Sequence, residues 1–117
     1  MKFLMTYTQR PDAPPPSPEQ MAKIGAYAEH NMKAGILLMT GGLVRPSRGI
    51  QLRCEHGKVS VTDGPFAETK DLIDGFALVD VSSRDAAVQL ASEFMQLAGD
   101  GTGEILQVFD QGEPPPG

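Results

Sequence analysis

Residues 2–8 alternate, with Phe3, Met5 and Tyr7 on one side and Lys2, Leu4 and Thr6 on the other. That is the period of a strand with at least one buried face. Pro11, Pro14, Pro15 and Pro16 follow closely, and a segment so poor in backbone donors has to be an exposed loop. Ser17-Pro18-Glu19-Gln20 then supplies a capping hydroxyl, a proline at the first helical position, an acid in the first turn and a glutamine at the capping-box position. A helix is predicted over residues 18–34, with Met21, Ile24, Ala28 and Met32 as its apolar stripe and Gly35 as its left-handed terminator.

Residues 36–39 form a short apolar run closed by Gly41-Gly42, which suits a buried strand that bends or bulges at the glycines. Pro46-Ser47-Arg48-Gly49 is turn chemistry. Ile50, Leu52 and Cys54 then alternate with Gln51, Arg53 and Glu55, and after His56-Gly57 the alternation resumes with Val59 and Val61. This is the pattern of a hairpin. Residues 75–81 read as another strand. Ser82-Ser83-Arg84-Asp85 caps a second helix carrying Ala87, Leu90, Ala91, Phe94 and Ala98. A flexible turn is expected over residues 99–103 and a last strand over 104–109, before a Pro-rich tail at 110–117.

Two helices with one apolar stripe each, set among strands, pack most simply on one face of an antiparallel sheet. The predicted fold is α+β, a ferredoxin-like plait with an added β-hairpin. The second sheet face also carries apolar side chains and needs a cover, so a homodimer is expected.

Composition narrows the functional classes. A chain of 117 residues supports one domain. Its net charge of -5 is opposite in sign to that of a nucleic-acid backbone reader, so direct nucleic-acid binding is not expected. Cys54 is the single cysteine, which leaves no internal disulfide and suggests a reducing cytoplasm. No window approaches the roughly 20 apolar residues of a membrane span. Neither histidine has a metal-ligand partner at helical or hairpin spacing, and Gly41-Gly42 lacks the spacing of a phosphate cradle, so no metal or cofactor is implied.

The segment Asp63-Gly64-Pro65-Phe66-Ala67-Glu68-Thr69-Lys70-Asp71 is similar to the DGPFAETKE signature of one branch of the YCII-related family, with Asp71 where that family usually has Glu. Tyr27, the run at residues 34–38, Gly42-Leu43, Pro46-Ser47 and Gly75-Phe76 look like recurring parts of the same family in the same order. The resemblance covers most of residues 1–109. It implies a dimeric α+β barrel, in which the sheets of two ferredoxin-like subunits face each other, and it implies no agreed reaction. Members of the branch also resemble neighbours of extracytoplasmic-function sigma factors, which suggests a regulatory setting. In YCII-type relatives a helix histidine working with an aspartate is a proposed catalytic pair. The corresponding part of the first helix here offers Ile24, so that pair does not carry over.

The first functional reading is a small-molecule enzyme or binder with a polar cleft near the signature. Asp63 could take a proton there and Lys70 could hold an anion, with Glu68, Thr69, Phe66, Tyr7 and Arg53 contributing contacts. Asp63 is also well placed simply to cap the corner made by Gly64-Pro65, and Phe66 to anchor a core or interface. His30 is the general-base candidate, although a position near the end of a helix also suits a solvent-facing imidazole. His56 belongs to the hairpin turn, and Cys54, alternating inward, reads as a small core hydrophobe. The alternative is a non-catalytic regulatory module that acts through protein contacts.

Overall fold

The computed structural model describes residues 1–44, 49–63 and 73–116. Its elements run β1 (Lys2–Gln9), α1 (Pro18–Lys33), β2 (Leu37–Gly42), β3 (Ile50–Glu55), β4 (Lys58–Asp63), β5 (Gly75–Asp80), α2 (Arg84–Ala98) and β6 (Gly101–Val108). Strands β2, β5, β1 and β6 lie side by side in that order, every neighbouring pair antiparallel. This is the α+β ferredoxin-like plait with both helices on one face, and β3–β4 is the added hairpin, a separate two-stranded sheet.

Both helices start where their side chains satisfy backbone donors. Ser17 Oγ accepts from the Gln20 amide at 3.1 Å, and Ser83 Oγ accepts from the Ala86 amide at 3.1 Å. Helix α1 ends at a left-handed Gly35, φ 76°. The core lies between helices and sheet: Phe3 and Met5 from β1, Val79 from β5 and Ala87 from α2, with Leu90, Ala91 and Ile105 packed against them. No helix among the described residues is long and apolar enough to cross a membrane.

Four local expectations are corrected. The α1 stripe is not Met21-Ile24-Ala28-Met32, because Met21 and Met32 are exposed while Asn31 is buried. The inward face is rotated to Ile24, Tyr27, Ala28 and Asn31, and the polar Asn31 is tolerated there because its Nδ2 donates to the Tyr27 carbonyl at 2.8 Å. Strand β2 is a largely exposed edge, and its irregularity falls between Leu37 and Met39 rather than at the glycines. The last strand begins at Gly101, inside the expected turn, because glycine lets β6 approach β1: a Cβ at Gly101 would collide with the Thr8 carbonyl and meet the Tyr7 ring at 2.9 Å.

The fourth correction concerns the hairpin. His56 and Gly57 both have positive φ, 51° and 79°, as a two-residue turn with the right twist requires. The register puts Ile50, Leu52 and Cys54 on the same face as Val61 and Val59, yet every residue of both strands is exposed. Cys54 is therefore a surface residue. Alternation correctly identified an apolar face, but among the described residues nothing covers that face of the two-stranded ribbon.

Candidate functional site

The register aligns Gly42 of β2, Gly75 of β5, Tyr7 of β1 and Gly103 of β6 in one row across the sheet. Tyr7 faces the helices, where its ring meets Phe94 of α2, so the whole row faces them. The Tyr7 ring leans toward β6, close enough that a Cβ on Gly101 would meet Tyr7 Cζ at 3.0 Å. At Gly42 and Gly75 no side chain comes within 4 Å of where a Cβ would stand.

A cleft of about 520 Å³ opens over this floor, walled by Ile24, Tyr27 and Ala28 of α1 and by Leu90 and Phe94 of α2. That volume falls within the usual range for small-molecule sites. Several polar side chains of the cleft are held in place. The Tyr7 hydroxyl donates to the Gly99 carbonyl at 3.1 Å and the Tyr27 hydroxyl to the Leu90 carbonyl at 3.1 Å. Asp74, just before β5, accepts from the Gln9 amide at 2.7 Å through Oδ2, while its own amide donates to the Tyr7 carbonyl at 2.8 Å.

Both tyrosines titrate above their ordinary value. For Tyr7 the leading cause is burial, followed by the negative charges of Asp74 and Asp100. For Tyr27 burial again leads, followed by Glu93, with a hydrogen bond to Asn31 pulling the other way. Each phenol is thus kept neutral and hydrogen-bonding, and neither is prepared as a base at neutral pH.

Of the candidates read from the sequence, Tyr7 lines this cleft. His30 is exposed on α1, Asp63 is exposed at the end of β4, and Arg53 is exposed on β3 with its Nε 3.6 Å from Glu55. None of these three is part of the cleft wall. Phe66, Glu68, Thr69 and Lys70 lie outside the described residues, as does the rest of the signature after Asp63. Asp74 and Asn31 were not singled out in the sequence, and Gly42 and Gly75 were noted there separately, not as a pair. Their importance depends on cross-strand register and on the rotation of α1, which no local motif reports. Among the described residues no group of three or more His, Cys, Asp or Glu gathers to hold a metal ion.

The model of the YCII-related domain matches residues 1–111. The chain is also similar to an uncharacterized protein of Rhizobium meliloti (strain 1021), 34% identical over 99 residues, covering 81% of this chain and 79% of that protein. On the match over nearly its whole length, this chain belongs to the YCII-related family.

Proposed function

We propose that the protein binds a small molecule, as a receptor or as an enzyme acting on it, in the cleft between its helices and sheet. The observation that carries this reading is the bare floor at Gly42 and Gly75. Neither residue has the positive φ that would demand glycine, and a Cβ would meet nothing closer than 3.8 Å at Gly42 and 3.4 Å at Gly75. Glycine weakens a strand, so its use at two paired positions that would accept a side chain has a ready explanation in the space it leaves. A crystal structure after soaking in a mixed metabolite library tests the proposal. Density over the Gly42–Gly75 floor is expected; a cleft left without ligand at saturating concentrations would overturn it.

The working unit we propose is a cytoplasmic homodimer of the dimeric α+β barrel type. Met39, Leu78, Leu4 and Leu106 form one row across the sheet face opposite the helices, and Met39 and Leu106 are 57% and 51% exposed. The radius of gyration is 16.4 Å, against about 13 Å for a compact domain of this length. Both features fit a chain that completes its packing against a second copy. The open apolar face of the hairpin favours a second reading, a regulatory module working through protein contacts. A hairpin left uncovered in the dimer would support that reading.

A further inference from the structure

We infer that the ligand of this cleft is a neutral, ring-containing apolar molecule whose flat face lies on the Gly42–Gly75 backbone; this rests on the small-molecule reading above. The chemistry of the walls sets the class. The lining is dominated by aliphatic and aromatic side chains and holds no Lys, Arg or His among the described residues; Asp74 is acidic, and Glu104, paired with Thr6, turns to the opposite sheet face. Most side-chain donors on the helix side are used within the fold: the Tyr7 and Tyr27 hydroxyls on carbonyls of α2 and its cap, the Thr40 and Ser92 hydroxyls on the Phe76 and Val88 carbonyls, and one N–H of Asn31 on the Tyr27 carbonyl. A phosphate or carboxylate would lose its hydration without compensation and would meet negative charge. A neutral molecule loses little and gains the apolar contact.

Shape follows from the floor. A paired Gly42 and Gly75 present peptide planes with no Cβ projecting toward the helices. A flat face can approach such a surface closely, whereas a branched chain would leave it partly uncovered. The volume of about 520 Å³ is well above the ~150 Å³ that holds a single benzene, which fits a molecule of roughly two or three rings.

A matched probe pair tests this directly. N-phenyl-1-naphthylamine is neutral, and 8-anilino-1-naphthalenesulfonate adds a sulfonate to the same ring system. Both are titrated by fluorescence into the full chain, into Gly42→Val and into Gly75→Val, with melting followed by circular dichroism. The expected result is saturable binding of the neutral probe, binding of the sulfonate weaker by about tenfold or more, and a loss of about tenfold or more for the neutral probe in each variant. The melting temperature of the variants is expected to hold or rise, because a β-branched residue suits a strand. Gly42→Ala, a smaller change in the same open space, replaces a variant that does not fold.

Equal affinity for the two probes, with both weakened in the variants, would overturn the ligand class while leaving the cleft as the binding site. Unchanged binding of the neutral probe in folded variants would overturn the glycine-floor inference and the cleft reading together. Failure of both probes to bind the unaltered chain would do the same.

Discussion

Tyr7 and Phe94 meet edge to face, with ring centroids 5.6 Å apart and planes at 88°. The contact ties the inner strand β1 to α2, and the Tyr7 hydroxyl adds a bond to the Gly99 carbonyl just beyond that helix. Phe94→Ala should destabilise the fold by about 2–3 kcal/mol, below the cost at a fully buried site because Phe94 is only half-buried. Tyr7→Phe keeps the ring and loses the bond, at about 1 kcal/mol. A double-mutant cycle by urea denaturation with Tyr7→Ala should return a coupling of about 1 kcal/mol. No coupling would mean that the two rings are neighbours without mutual stabilisation.

The two tyrosines also make alkaline pH informative. Each has a folded pKa raised above the ordinary 10.0, so the fold favours the protonated phenol. Their contribution to stability is complete below the unfolded value near 10 and is lost as pH rises through the higher folded values. Absorbance at 295 nm should therefore show both phenols of the native protein titrating above pH 10.0, and the urea midpoint should fall across that window. In Tyr7→Phe the remaining phenol should still titrate high. Native titration at or below the ordinary value would contradict the partial burial of both groups.

Gln20 joins the two helices. Its Nε2 donates to the Leu97 and Ala98 carbonyls, both at 2.9 Å, giving a donor to acceptors at the end of α2 that the helix itself cannot pair. Gln20→Ala should cost about 1–2 kcal/mol, since it leaves partly buried carbonyls without their donor. Ser17→Ala, which removes only the α1 cap, should cost about 1 kcal/mol. Hydrogen exchange separates the two: Gln20→Ala should raise exchange in the last turn of α2, and Ser17→Ala in the first turn of α1. If both variants loosen only α1, the interhelical bond has no energetic weight.

Gln20 also shows what the sequence could and could not reveal. Its place three residues after Ser17 marked a helix start, and the helix is there, but the side chain bonds to the other helix rather than completing a capping box. Signals confined to one element were legible: strand alternation at Phe3 and Met5, the Ser83 cap, the Gly35 terminator and the hairpin turn at His56-Gly57. The plait as a fold class followed from these elements and simple packing rules. The cleft was less accessible. Gly42 and Gly75 become neighbours only through the β2–β5 register, and Asn31 faces inward only because α1 is rotated from the stripe its methionines suggested. Cys54 failed for a related reason, since alternation identifies the apolar face of a hairpin but not whether anything covers it.

The open sheet face offers the most direct test of assembly. Leu106 lies at the β6 edge of the Met39–Leu78–Leu4–Leu106 row, half-exposed and on the sheet face opposite the core. Leu106→Arg places a charge where a second sheet would have to bury it, and an unpaired charge in an apolar interface costs several kcal/mol. In a symmetric dimer the change enters the interface twice, because each copy contributes the same surface. Sedimentation of the unaltered chain should give twice the mass of 12.5 kDa, and Leu106→Arg should shift it toward the monomer with its helical circular dichroism retained. Leu52→Arg, on the open hairpin face, separates the surfaces. If it too dissociates the dimer, the hairpin belongs to the same interface; if it leaves the mass unchanged, the hairpin face is free for another partner. A monomeric unaltered chain would remove the homodimer and leave the apolar row to be covered by some other protein.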